Sequence, residues 1–115
     1  MGFEKQYSLL HRKNESSRVI AKYPDRCPVI CERGDKSIVK IDKIKYLVPM
    51  DITMGQFMYV IRKRIKLPPE QAMFFYVNKS MVCSSVTMQY AYEKYKSDDG
   101  FLYIKYTGEN TFGFI

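Results

Sequence analysis

IKYLVPMDITMGQFMYVIRKRIKL, residues 44–67, is the stretch from which the fold can be read. Tyr46, Leu47 and Val48 are aromatic, aliphatic and β-branched, the composition of a strand, and Pro49 then withholds a backbone donor. A proline at a strand end marks an edge rather than a centre. Thr53, with Gln56 three residues on, has the spacing of a capping box, and Met54, Phe57, Val60, Ile61 and Ile65 recur at the interval that stacks one apolar face. That pattern predicts a helix over 53–66. Its other side carries Arg62, Lys63, Arg64 and Lys66. An open strand edge beside a cationic helix end suits an extended, acidic peptide.

Upstream of this unit, Pro28, Val29, Ile30 and Cys31 read as a short strand, and Arg33-Gly34-Asp35 as a turn. Residues 27–32 are expected to pair hairpin-fashion with 45–49. Phe3 to Lys22 is polar, with Leu9, Leu10, Val19 and Ile20 spaced irregularly, so one or two short helices lying on a domain surface are expected. Tyr23-Pro24 ends them, because the residue before a proline is pushed out of helical geometry. Downstream, Leu67-Pro68-Pro69 stops the central helix, and Met73 to Val77 is a short apolar run suited to a strand covered on both faces. Asn78 to Ser85 reads as a polar loop, Thr87 to Lys96 as a helix capped by Thr87, Ser97 to Gly100 as a turn and Phe101 to Tyr106 as a last strand. Helix, strand, strand, helix, strand, helix, strand amounts to one α+β sheet with a helix on a face.

At 115 residues, 46% of them hydrophobic, the chain has room for a single modest core. Its charge of +7 is unevenly spread: residues 1–35 contribute +2, residues 36–66 contribute +6 and residues 67–115 contribute −1. Nucleic acid, anionic lipid and acidic protein all suit such a patch, and charge alone does not choose among them. No apolar run reaches the roughly 18 residues a bilayer span needs, and the N-terminus lacks signal-peptide order, so a cytoplasmic start is expected. Met1-Gly2 fails as a myristoylation signal because Gln6 stands where Ser or Thr is required. Cys27, Cys31 and Cys83 are an odd set beside a single histidine, His11, which gives no metal spacing and points to buried thiols in a reducing compartment. Asn14-Glu15-Ser16 and Asn78-Lys79-Ser80 match the glycosylation triplet but carry no weight without a secretory route. Cys83 and His11 have no identifiable orienting partner, so no catalytic residues, no enzymatic activity and no cofactor are expected.

KYPDRCPVI at 22–30, DKIKYLVPMDITMGQFMYVIRKRIKL at 42–67, FFYVN at 74–78 and DGFLYIKYTGENTFG at 99–113 together resemble the autophagy ubiquitin-like modifiers, the family of the GABA-receptor-associated protein and the microtubule-associated light chains. The resemblance implies a ubiquitin-like β-grasp: a four-stranded mixed sheet with two additional N-terminal helices. It divides the chain into an N-terminal helical extension packed on the domain (1–22), a ubiquitin-like domain (23–113) and a C-terminal tail (114–115). It further implies that ligands of the form aromatic-x-x-aliphatic add a strand to the edge at Lys45 to Pro49. Glu15, Val19, Pro28, Ile30, Lys45, Leu47 and Phe101 would then form the aromatic pocket. Tyr46, Val48, Pro49, Ile52, Phe57 and Val60 would form the aliphatic one, while Arg26, Lys43, Lys45 and Arg64 would meet acidic flanks.

A dedicated cysteine protease would cut after Phe112-Gly113, releasing Phe114-Ile115, and glycine suits narrow catalytic slots because it has no Cβ. Ubiquitin-like activating and conjugating enzymes would pass the new carboxylate to phosphatidylethanolamine. Two acyl chains satisfy the requirement for a stable membrane anchor. The implied role is autophagosome formation and recruitment of cargo receptors and adaptors, cytoplasmic before conjugation and on autophagosomal and related vesicle membranes after it.

Without the resemblance, Tyr46, Leu47, Val48 and Phe57 read as ordinary core, and Arg62 to Lys66 as a solvated helix face. The +6 segment and ten tyrosines raise a small basic nucleic-acid-binding domain. The tyrosines do not alternate with cations on one predicted sheet face, so no nucleic acid is expected. A ubiquitin-like interaction scaffold without conjugation is the remaining alternative.

Overall fold

Three hydroxyl side chains start the longer helices of this chain. In the computed structural model, which describes residues 2–109, the order is α1 (Phe3–Gln6), α2 (Leu9–Lys22), β1 (Arg26–Arg33), β2 (Lys45–Pro49), α3 (Met54–Arg64), β3 (Phe74–Val77), β4 (Ser80–Met81), α4 (Met88–Tyr95) and β5 (Leu102–Thr107). The Ser8 hydroxyl accepts from the His11 N–H at 3.1 Å and Thr87 from the Tyr90 N–H at 3.1 Å, each satisfying a donor that the first helical turn leaves free. The predicted capping box is complete: Thr53 Oγ1 accepts from the Gln56 N–H at 3.1 Å, and Gln56 Oε1 accepts from the Thr53 N–H at 2.8 Å. Chain direction into α3 is thereby set just after β2.

The strands lie in the order β2-β1-β5-β3-β4. β1 and β2 are antiparallel, with Arg26 opposite Pro49 and Ile30 opposite Lys45, the pairing expected from the sequence. β1 and β5 run parallel at the centre, β5 and β3 antiparallel. The sheet is mixed, as expected, but has five strands rather than four: Ser80 and Met81, read as loop, pair with Val77 and Tyr76. Asn78 and Lys79 make the reversal in two residues at φ 52° and 65°, the left-handed geometry a tight hairpin requires.

Side-chain alternation gives the sheet two different faces. Cys27, Val29 and Cys31 of β1, Val48 of β2, Phe75 and Val77 of β3 and Leu102, Ile104 and Tyr106 of β5 point to one face. Met54, Phe57 and Ile61 of α3 and Met88 and Ala91 of α4 cover it. The opposite face holds a smaller cluster, Phe3, Ile30 and Phe101, over which α1 and α2 lie. There Phe3 contributes a ring 5.3 Å from Phe101, and its N–H donates to Glu32 at 2.9 Å.

Polar groups complete the second face. The buried Asp99 carboxylate accepts from Arg12 of α2 at 2.5 Å, from the Tyr103 hydroxyl at 2.5 Å and from the Phe101 N–H at 2.9 Å. Ser16 of α2 donates to the Asp99 carbonyl at 2.5 Å. Gly100 follows at φ 90°, and a Cβ there would run into the Ser16 hydroxyl, so backbone geometry and close approach both call for glycine. Burial, then the bond to Asp99, holds the Tyr103 phenol well above its ordinary value.

Of the three thiols expected to be buried, Cys27 and Cys31 are, and Cys83 is exposed in the loop after β4. Burial pushes the Cys27 thiol up to about 12 and raises Cys31 as well. A hydrogen bond with Ser85 lowers Cys83.

Candidate functional site

β2 pairs with β1 on one side only, and no strand neighbours its outer side among the described residues. Its open edge is what Pro49 signalled. A peptide laid there would find main-chain groups in a row, with consecutive β2 side chains facing alternate sides of the sheet.

Lys45 and Leu47 face the α2 side. Together with Glu15 and Val19 of α2, Pro28 of β1 and Phe101 they line a cavity of about 240 Å³, to which Lys43 and Tyr46 also contribute. Six of the seven residues assigned to an aromatic pocket therefore meet around one hollow. Ile30, the seventh, is fully buried beneath it with Phe3 and Phe101, so it supports the floor rather than lining the space. Lys45 Nζ bonds Glu15 Oε2 at 2.8 Å and lies 5.3 Å from the centre of the Phe3 ring, closing one side. Glu15 Oε1 is buried and has no hydrogen-bond donor among the described residues; His11 Nε2 is 3.8 Å away. A carboxylate oxygen beside an apolar hollow can accept from a donor-bearing ring.

Tyr46 and Val48 face the α3 side. Tyr46 packs edge-on against Phe57 with ring centres 5.5 Å apart, and Val48 and Phe57 are buried in the main core. Of the six residues assigned to an aliphatic pocket, Val60 is 46% exposed, Tyr46, Pro49 and Ile52 are half-buried, and Val48 and Phe57 lie behind them. The Tyr46 hydroxyl donates to the Lys43 carbonyl at 2.7 Å, and burial pushes its phenol up to about 12.

The four cations assigned to acidic flanks are not gathered at one place. Lys43 and Lys45 stand where β2 begins; Arg26 lies opposite Pro49, where it ends, about 13 Å away by strand rise. Arg64 holds Asp42 through two hydrogen bonds, 3.0 and 3.1 Å, and that pairing lowers the Asp42 carboxyl. The sequence reading missed Arg12, Ser16 and Asp99, which fix α2 and so hold Glu15 and Val19 over the cavity. Their partners are 83 to 87 residues apart in sequence, and no local spacing signals them. Phe112, Gly113, Phe114 and Ile115, the expected processing site and tail, lie outside the described residues.

Residues 11–113 match a family model described as Autophagy protein Atg8 ubiquitin like. The Autophagy-related protein 8 of Schizosaccharomyces pombe is 57% identical over 114 residues, 98% of this chain and 94% of that one. Its namesake in Mycosarcoma maydis is 54% identical over 112 residues, 96% and 95% of the two chains. A crystal structure of Trypanosoma brucei ATG8 matches the fold with a TM-score of 0.90 at 43% identity, over 98% of each chain. By sequence and by fold, this chain belongs to the Atg8 family of ubiquitin-like autophagy proteins.

Proposed function

We infer that the chain is a modifier conjugated through Gly113 to phosphatidylethanolamine, and that it recruits cargo receptors by binding acidic aromatic-x-x-aliphatic segments along β2. The observation that carries the binding half is the conjunction of an unpaired strand edge with a hollow on the α2 side of that edge. A ligand strand places its aromatic residue in the hollow and, three residues on, its aliphatic residue against Tyr46, Ile52 and Val60 on the other side. Lys43 and Lys45 attract acidic residues at one end of the motif, and Arg26 does so at the other. Support for the conjugation half comes from family membership and from the TFG context of Gly113.

Titrating an acidic peptide with a central Trp-x-x-Leu against the wild-type chain and Leu47→Arg tests the groove. Binding should be lost in the variant, since an arginine at position 47 fills the hollow with charge; equal affinity would remove the assignment. Incubation with the family's processing protease, followed by intact mass, tests the tail: the expected product ends at Gly113, and a chain that keeps Phe114 and Ile115 ends the conjugation reading. In cells, Gly113→Ala should stay diffuse where the wild type is punctate; unchanged puncta would favour a scaffold that is not conjugated.

A further inference from the structure

Three contacts bring distant segments to one end of the molecule. Arg64, at the end of α3, is bonded to Asp42; the Val39 carbonyl accepts from the Tyr106 hydroxyl at 2.8 Å; and the Ser37 hydroxyl accepts from the Gly108 N–H at 2.8 Å. The end of α3, the loop between β1 and β2 and the end of β5 thus share a pole. It is the pole from which the chain continues toward Gly113.

This pole is cationic. Residues 34–44 and 62–70 hold seven basic residues against three acidic ones. Asp42 is taken by Arg64 and Asp35 by the Ser37 hydroxyl and N–H, which leaves Glu70 and, at the chain's exit, Glu109 as the remaining carboxylates. Lys36, Lys40, Arg62, Lys63 and Lys66 form no ion pair among the described residues. Arg62 instead bonds the Pro68 carbonyl at 2.9 Å and braces the loop after α3. Between α3 and that loop runs a groove of about 550 Å³ with Tyr59 and Leu67 in its wall. Tyr59 is 59% exposed, and Lys63 Nζ lies 4.9 Å from its ring centre, a pairing of aromatic ring and cation that suits a bilayer interface.

We propose that this pole is a docking surface for anionic phospholipid headgroups. The proposal rests on the conjugation reading for its consequence. From Glu109 to Gly113 is four residues, a reach of at most about 14 Å. A body tethered that closely brings these cations to within about one to two screening lengths of the lipid surface. Clustered cations at that range are drawn to an anionic leaflet. The tether then supplies proximity and the pole supplies orientation.

Sedimentation of the full-length, unconjugated chain with phosphatidylcholine vesicles, with and without about 30% phosphatidylserine, tests this independently of any chemistry at Gly113. Partitioning should be about tenfold higher on the anionic vesicles and fall to the neutral level in about 0.5 M salt. Lys36→Glu, Lys40→Glu, Lys63→Glu and Lys66→Glu together should abolish the difference while leaving the circular dichroism unchanged. The milder pair Lys63→Gln and Lys66→Gln should reduce it severalfold. Gadolinium-chelating lipids in the same membranes should attenuate amide signals of residues 36–40 and 62–66 most strongly. Equal partitioning on the two vesicle types, or attenuation centred on α2, would overturn the proposal. So would retention on single-stranded RNA with no preference between vesicles, which would assign the pole to nucleic acid. A chain that docks on anionic vesicles yet is never trimmed leaves this inference standing and removes conjugation; the converse result does the reverse.

Discussion

The two faces of the sheet are held by different physics. On the α3 side a continuous apolar cluster runs from Val48 through Phe57 to Met88, while on the α2 side three buried apolar residues are supplemented by a carboxylate with three donors. Apolar packing is non-directional and fills space, so the first face closes. Directional bonds fix α2 at Arg12 and Ser16 without filling the volume nearer β2, and the cavity opens there. The hollow lies beside Glu15 and Val19, on a helix fastened by polar bonds at Arg12 and Ser16 and by apolar packing at Ile20.

Substitutions on either side should break this contrast in different ways. Phe57→Ala should lower global stability by about 3–5 kcal/mol in urea unfolding, the usual result of deleting a buried ring. Amide exchange would then accelerate in every element together. Asp99→Ala strands Arg12, whose guanidinium donates to it, and should lower global stability by less than Phe57→Ala does, because Arg12 is only part-buried and keeps access to water. Here exchange should accelerate selectively in α2, and affinity for the Trp-x-x-Leu peptide should fall with it. Uniform acceleration in both variants would erase the distinction between the faces.

A smaller and more local effect is expected at Glu15. Glu15→Ala should weaken a Trp-containing ligand about tenfold, the scale of one hydrogen bond to a charged acceptor. A Phe-containing ligand, with no N–H to offer, should lose less, and equal losses would mean that Glu15 Oε1 is not the acceptor. Thiol labelling gives a kinetic view of the apolar side. Cys83 should react within the native state, helped by its lowered pKa, whereas Cys27 and Cys31 should react only as that core opens. Rapid modification of all three would contradict the close packing.

The least effect is expected at the Arg64–Asp42 tie. Because the folded-state Asp42 pKa is lowered, its contribution is present above the unfolded value of about 3.9 and is lost as pH falls through the folded value. The stability difference between wild type and Asp42→Asn should therefore be small near neutrality and vanish in more acidic solution. A difference that persisted there would assign it to packing instead.

Short-range chemistry was legible in the sequence. Thr53 with Gln56 announced α3, Pro49 announced the edge, and both hold because a cap and a missing donor act within a few residues. Six of the seven residues that the resemblance assigned to an aromatic pocket line one cavity, although a buried position such as Ile30 cannot be told from a lining one by type. β4 was missed because a two-residue strand has no periodicity to read, and its hairpin turn rests on the φ of Asn78 and Lys79 rather than on the usual Asn-Gly signal. Arg64 read as available because Asp42, its partner, is 22 residues away in sequence.

The parallel pairing of β1 with β5 joins Val29 to Leu102 across most of the chain. A ribosome releases β1 long before β5 exists, so the central ladder has to wait for the final segment to emerge. During synthesis α3 and the β1–β2 hairpin can form, but the sheet cannot close around its middle. Nascent chains stalled before residue 107 should therefore remain accessible to chaperones, and release of the last strand becomes the event that turns a set of local elements into a finished body.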